Sequence, residues 1–233
     1  MEHDPSPGPP PPHQGAGAPL TPIPWEDRQR LGFAPALLGT VKLFVSDPKD
    51  GFRRIQEQGD LASPILFAVL LGWAAVIIGQ IWSFLIGSSF LFLPGLDGEA
   101  FTLLAGRGLM TFGILLLAPL FVVIGLFIGS GIFHLFLLLV GGTERSQAGF
   151  EGTLRVVAYS SVTQLAQILP IFGALFGTIW ALVLFTIGLS ILHRTSQGKA
   201  LAAVLIPILL CCVCGSIAAV MGLGSLMMAF QSA

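Results

Sequence analysis

The chain has 233 residues, of which 54% are apolar and only 10% charged, with a formal net charge of −1. A soluble domain carries about 25% charged residues, so there is too little charge here to coat a water-exposed globule. The 11 Lys and Arg form no long basic run, which removes nucleic acid as a partner.

Chain order begins with Met1-Glu2-His3-Asp4-Pro5. This lacks the basic start and immediate apolar run of a signal peptide, so insertion is expected to be driven by internal spans. Residues 1–32 read as a disordered, Pro/Gly-rich cytosolic tail. The run Pro9 to Pro12 favours an extended polyproline conformation, and the flanking Gly and Ala cannot build a core. Such a run can also serve as a ligand for an aromatic groove.

Residues 33–60 read as amphipathic interfacial helices. Leu37, Leu38, Val41, Phe44 and Val45 share a helical face, with Lys42 on the other. Asp47-Pro48 reads as a restart, with Asp at the N-cap and Pro at the first helical position. Beyond it Phe52 and Ile55 face one way, while Lys49, Arg53 and Arg54 can reach lipid headgroups. The helices either bind lipid or pack on the membrane domain; the sequence leaves both open.

From Leu61 charge almost disappears. Residues 61–233 are expected to form an all-α, polytopic membrane bundle of five passes, at about 64–87, 108–140, 154–169, 171–193 and 200–230, since a spanning helix needs about 20 apolar residues. The first pass ends before the turn signal Leu93-Pro94-Gly95-Leu96-Asp97-Gly98. The second is longer than one crossing needs and should tilt, kink at Pro119 or project. The third is short and polar, carrying Thr163, Gln164 and Gln167 before Pro170. It either spans or forms a re-entrant or interfacial segment. Charge favours five passes with the N-terminus inside, because only Arg107 then lies outside. Pro207 and Gly222-Leu223-Gly224 suggest a bent fifth pass. The pairs Gly125/Gly129 and Gly173/Gly177 allow close helix approach, within one chain or in a dimer. Cys211, Cys212 and Cys214 have no metal spacing and read as packing residues.

No catalytic constellation is present: no zinc-protease helix, nucleophile elbow or phosphate loop, and no Asp or Glu within the apolar windows. No cofactor or metal is expected. The intramembrane polar residues are His134, Gln164 and Gln167, joined by Gln80, Ser83 and His193. They read as interhelical hydrogen-bonding groups, with metal or proton handling by the histidines as the sharper alternative. Trp73, Trp82 and Trp180 read as packing or interface anchors.

Four stretches carry a family resemblance. They are Trp25-Glu26-Asp27-Arg28 with Leu31-Gly32; Phe44 to Phe52 around Asp47-Pro48; Asp60-Leu61-Ala62-Ser63-Pro64; and the ordered set Gly141-Gly142, Ala158-Tyr159-Ser160, Pro170, Trp180 and Gly188 to Lys199. In this order they resemble the Yip family, the Ypt/Rab-interacting membrane proteins with a Yip domain, in a bacterial-type member. The third stretch has Ser63 where eukaryotic members have Gly, and Ala158 stands where they have Gly before Tyr. The resemblance covers about residues 25–210 and implies five helices and a cytosolic N-terminus. In eukaryotic members it also implies binding to prenylated Rab GTPases and a role in vesicle traffic; bacterial members have no settled function.

The reading that results is a non-enzymatic membrane scaffold or adaptor working through its cytosolic face, in a bacterial inner membrane with the C-terminus outside. Candidate interaction residues are Asp60, Leu61, Pro64, Tyr159, Arg53 and Arg54. Candidate partners are the bilayer, other membrane proteins, a second copy of the chain and, through the resemblance, a small GTPase. The alternative is a channel or small-solute transporter using the polar, Pro-broken third pass.

Overall fold

A computed structural model describes residues 21–56, 59–89 and 99–231, and every regular element among them is helical. The proline run at 9–12 and the turn signal at 93–98 lie outside the described residues. Residues 21–32 correct the expected tail boundary: they are folded, with Ile23 and Trp25 fully buried. Both N–H groups of Trp25 find partners there. Its backbone N–H donates to Thr40 Oγ1 at 2.8 Å and its indole Nε1 to the Ser63 carbonyl at 2.8 Å. A large apolar ring with its polar handle satisfied is stable in a core.

Helix α1 (Arg28–Leu31) ends at Gly32, whose φ of +87° turns the chain into α2 (Phe33–Ser46). Helix α2 buries Ala36, Thr40 and Phe44, four residues apart and therefore on one face. Leu38, Lys42 and Val45 are exposed on its other side. The two sequence readings thus merge: α2 packs on the bundle and still offers an apolar, Lys-bearing outer face. Asp47 caps α3 (Pro48–Arg53) by accepting the Asp50 N–H at 3.0 Å, with Pro48 in the first turn as the spacing predicts.

The membrane body consists of α4 (Ala62–Ser89), α5 (Glu99–Leu139), α6 (Gly149–Tyr159), a 3-10 segment (Ser160–Ile168), α7 (Gly173–Leu192) and α8 (Gln197–Gln231). Four of these hold stretches long and apolar enough to cross a membrane: Ala62–Ile86, Gly108–Leu139, Gly173–Leu192 and Gln197–Met221. The third expected pass corresponds to α6 and the 3-10 segment together. Neither spans alone, but at ~1.5 and ~2.0 Å per residue they cover about 35 Å, enough for one bilayer core. The neighbours of this pair follow in order. Thr153 meets His134, Ala158 clusters with Leu126 and Ala68, and Gln167 shares a cavity with Gln80. The pair therefore runs along the bundle, parallel to α4 and antiparallel to α5.

The switch to 3-10 geometry follows from composition. Hydroxyl side chains compete for backbone partners, and Thr163 Oγ1 donates to the Ser160 carbonyl at 2.9 Å. Leu169 is extended because Pro170 follows. Ile171 then takes φ +66°, a left-handed conformation that strains a β-branched residue. The hairpin closes so tightly that a Cβ on Gly173 would collide with the Ala166 carbonyl. The Gly173/Gly177 pair is thus internal, facing Ala166 and Thr163, whereas a Cβ on Gly125 or Gly129 would meet nothing within 4 Å.

Pro119 lies inside α5 and cannot donate to the carbonyl of Leu115, four residues back. Trp73 of α4 supplies the missing donor, its Nε1 standing 3.0 Å from that oxygen. Tryptophan here does more than pack, because lipid offers a freed carbonyl no partner. The three cysteines correct the packing expectation. All are exposed on α8, whose residues 208–221 are exposed throughout.

One end of the bundle collects α1–α3 and the connections at 140–148 and 193–196. Phe52 of α3 lies against Gly188, Ser146 Oγ donates to the Leu192 carbonyl at 3.0 Å, and Lys199 Nζ donates to the Gly141 carbonyl at 2.7 Å.

Two substitutions test this packing. Gly173→Ala should sharply lower the yield of folded protein in detergent, while Gly129→Ala should match the wild type in size-exclusion profile. Trp73→Phe should lower stability by about 1 kcal/mol, the scale of one interhelical hydrogen bond, read from thermal unfolding in detergent. A wild-type midpoint would show that the Leu115 carbonyl needs no donor.

Candidate functional site

The most elaborate polar assembly joins the N-terminal segment to the bundle. Tyr159, fully buried at the end of α6, donates its hydroxyl to Glu26 Oε1 at 2.8 Å. Its ring stacks on Phe44 of α2, with centroids 5.3 Å apart, and also meets Phe67 of α4 at 5.4 Å. Phe67 in turn meets Trp25 at 6.0 Å, and Phe44 meets Phe52 at 5.0 Å. A continuous aromatic chain from Trp25 to Phe52 therefore ties α2, α3, α4 and α6 together.

The Asp60-Leu61-Ala62-Ser63-Pro64 stretch caps α4. Asp60 accepts the N–H groups of Ala62 and Ser63 at 2.9 and 3.1 Å and the Ser63 hydroxyl at 2.5 Å. Ser63 Oγ also accepts from Arg28 Nη1 at 2.8 Å, and the Arg28 guanidinium lies 5.1 Å above the Trp25 ring. The segment from Trp25 to Arg28 is thus clamped on the first spanning helix through the cap that starts it.

The two carboxylates of this assembly sit in opposite environments. Burial pushes the Glu26 carboxyl above its ordinary range, against the downward pull of the Tyr159 hydrogen bond and the Arg155 charge. Hydrogen bonds from the Ser63 hydroxyl and the Ala62 N–H hold exposed Asp60 below its ordinary range. Arg155 is 1% exposed, and its Nε and Nη2 have no hydrogen-bond partner. Such a group is costly to keep inside.

Of the residues singled out from sequence, Asp60, Pro64 and Tyr159 belong to this assembly; Pro64 is buried and Leu61 half-buried. Arg53 is exposed, whereas Arg54 pairs with Asp50 at 2.6 Å and donates to Thr21 Oγ1 at 2.6 Å. Glu26 and Arg155 were missed as site residues. One follows Trp25 in a stretch read as tail, and the other was counted only as a topology charge. The Arg155 charge reaches Glu26 from a distant part of the chain, and such proximity leaves no trace in local pattern.

The two histidines, whose meeting the sequence could not show, are brought together. Thr153 Oγ1 lies 2.9 Å from His134 Nδ1 and 2.9 Å from His193 Nε2, and the rings are 5.8 Å apart. One hydroxyl has one proton to give, so the tautomers of the two rings are coupled through Thr153. Among the described residues no group of three or more His, Cys, Asp or Glu is placed to hold one metal ion.

Gln164 and Gln167 line a different feature, a cavity of about 640 Å³ bounded by α4, α5, the 3-10 segment and α7 and open on one side. Ser160 and Ser161 also border it, but their hydroxyls are buried without a hydrogen-bond partner. Leaving a buried hydroxyl unsatisfied costs about 1–3 kcal/mol.

Glu26 yields a pH test. Its carboxyl holds a proton more tightly folded than unfolded, so it favours the folded state at acid pH, and that contribution is lost as pH rises above the ordinary value of 4.5. The thermal midpoint of the wild type minus that of Glu26→Gln should therefore fall as pH is raised from 4 to 7.5; a flat difference would place Glu26 in solvent. Tyr159→Phe should cost roughly 1–3 kcal/mol by removing the donor to a buried carboxyl, measured in the same series.

The comparisons agree with this architecture. No curated protein and no solved structure matches the chain. The family model of the Yip1 domain matches residues 42–219, from the middle of α2 to well within α8. That range covers most of the 233 residues, and the chain belongs to the Yip1-domain family of membrane proteins.

Proposed function

We propose that this protein is a non-enzymatic membrane scaffold or adaptor, sitting in a bacterial plasma membrane with its N-terminal end in the cytosol and its C-terminal end outside. The orientation is supported by the positive-inside rule. Lys42, Lys49 and Arg53 on α2 and α3, Arg54 directly after α3, Arg145 and Arg194 on the two connections and Lys199 in the first turn of α8 all belong to one end of the bundle.

One observation carries the scaffold reading. The polar residues at this end are used to hold α1–α3 against the bundle, through Glu26–Tyr159 and Asp60–Ser63–Arg28. What remains outside is a surface: Lys42, Lys49 and Arg53, with Leu38 and Val45 among them. A basic surface interrupted by apolar side chains suits a partner with an acidic face lying close to the membrane. Another membrane protein fits that description, as does the small GTPase that the family resemblance implies. In this reading Asp60, Leu61, Pro64, Tyr159 and Arg54 shape the platform and Arg53 touches the partner. A second reading, passage of a small solute along the broken third pass, draws on the cavity beside Gln164 and Gln167. Liposome flux that requires either glutamine would favour it.

Pull-down in mild detergent should recover a discrete set of partners. The pair Lys42→Glu and Arg53→Glu should reduce recovery about tenfold, or roughly 1.4 kcal/mol, without changing the size-exclusion profile. Failure of both wild type and Asp60→Ala to recover any partner would count against the scaffold. A C-terminal reporter should be active only outside the cell; activity inside would reverse the orientation.

A further inference from the structure

Helices α5 and α7 finish in the same way at the basic end of the bundle. After α5, Gly141 takes φ +65°, and the N–H groups of Gly141 and Gly142 donate back to the Leu138 and Leu137 carbonyls. After α7, Arg194 takes φ +49°, and the N–H groups of Arg194 and Thr195 donate back to the Ile191 and Ser190 carbonyls. These are matching left-handed terminations, a place that glycine fills without steric cost. The backbone gains nothing from arginine at the second, so a compensating role is to be sought in its side chain.

That side chain lines a pocket of about 240 Å³ between the two connections, together with Glu144, Arg145, Thr195, Ser196 and Lys199. Arg145, Arg194 and Lys199 are exposed there, and these three cations outnumber the one carboxylate. The helix ends oppose them only weakly. Helices α5 and α7 present negative ends and α8 a positive one, about half a negative charge in all. Helix capping explains part of the cluster. Lys199 Nζ donates to the Gly141 carbonyl at 2.7 Å, but an ammonium has three N–H bonds to give. At the end of α7 the Ile191 and Ser190 carbonyls are already met by backbone N–H groups.

Position along the spans selects the ligand. Gly141 and Arg194 stand two residues beyond Leu139 and Leu192, where two spanning stretches end, and Lys199 lies in the first turn of a third. This is the level at which a bilayer gives way to its headgroups. Leu138, Leu139 and Leu201, a few residues inside, are exposed and apolar. A molecule with its phosphate in the pocket finds surface for hydrocarbon directly below, and basic pockets between helices at this level suit acidic headgroups. A soluble anion would leave that apolar surface unused.

We propose that this pocket binds the phosphate of an anionic phospholipid of the phosphatidylglycerol type. Arg145, Arg194 and Lys199 donate to its oxygens, and its chains lie along Leu138, Leu139 and Leu201. The site does not rest on the scaffold reading: it uses none of the α2–α3 surface and lies at a bilayer boundary in either orientation.

The test counts lipids retained by the full chain when it is released from nanodiscs of mixed phosphatidylglycerol and phosphatidylcholine into native mass spectrometry. A single phosphatidylglycerol should be retained. Arg194→Gly should reduce its retention at least fivefold while holding or raising the thermal midpoint, because glycine relaxes the left-handed turn. The pair Arg145→Gln and Lys199→Gln should reduce it equally, and decides the matter should the glycine variant fold poorly. Arg30→Gln removes an exposed charge outside the pocket and should leave retention unchanged. Equal loss in Arg30→Gln would overturn the site in favour of general charge attraction. Full retention in both pocket variants, or equal retention of phosphatidylcholine, would also overturn it. Displacement of the lipid by millimolar inorganic phosphate or glycerol phosphate would give the pocket to a soluble phosphate. Loss of partner recovery in the pocket variants with the lipid count unchanged would give it to an acidic protein face. Failure of the wild type to recover any partner, with the lipid retained, would break the scaffold reading and leave this site standing.

Discussion

Tyr159 holds this molecule together. Its ring lies between Phe44 and Phe67, and its hydroxyl reaches Glu26 across 133 positions of sequence. Removing a tyrosine from water is favourable only when the hydroxyl keeps a partner, so burial of this one residue obliges residues 21–32 to fold back. That return brings Trp25 to the start of α4, where its indole meets the Ser63 carbonyl. The N-terminal helices are therefore part of the bundle, and their outward surface inherits its rigidity.

The bilayer imposes a second constraint, that each backbone group freed by an irregularity must find a partner inside the protein. The Trp73 bond to the Leu115 carbonyl answers Pro119 in this way. The third pass answers differently: it changes to 3-10 geometry and closes in a tight hairpin whose glycines lie against its own carbonyls. That economy on the α7 side leaves polar side chains turned toward α4 and α5, and the space between them is the cavity. A broken helix and a two-faced cavity are thus consequences of one stretch of hydroxyl- and amide-bearing residues.

Membership of the Yip1-domain family and the basic end of the bundle belong to different levels of argument. The first follows from matched sequence over residues 42–219. The second follows from where long-range contacts gather cations that are far apart in the chain. The Glu26–Tyr159 and Arg28–Ser63–Asp60 contacts hold the N-terminal segment against the bundle, and the proposed scaffold would draw on the surface they fix.

The amino-acid sequence alone determined the solvent of this protein and the existence of its spans. Long stretches without charge have no stable place but lipid, and the caps, such as Asp47-Pro48, act within a few residues. Local pattern also marked the third pass as the odd one. Tertiary structure decided what was not local. It drew Trp25 out of an apparent tail, joined His134 to His193 through Thr153, placed Arg155 in the interior and turned Gly125 toward an empty space while closing Gly173 against a carbonyl. Each of these depends on which side of a helix meets which neighbour. A uniformly apolar helix carries no periodicity that names its buried face, so that choice is made only when the helices pack.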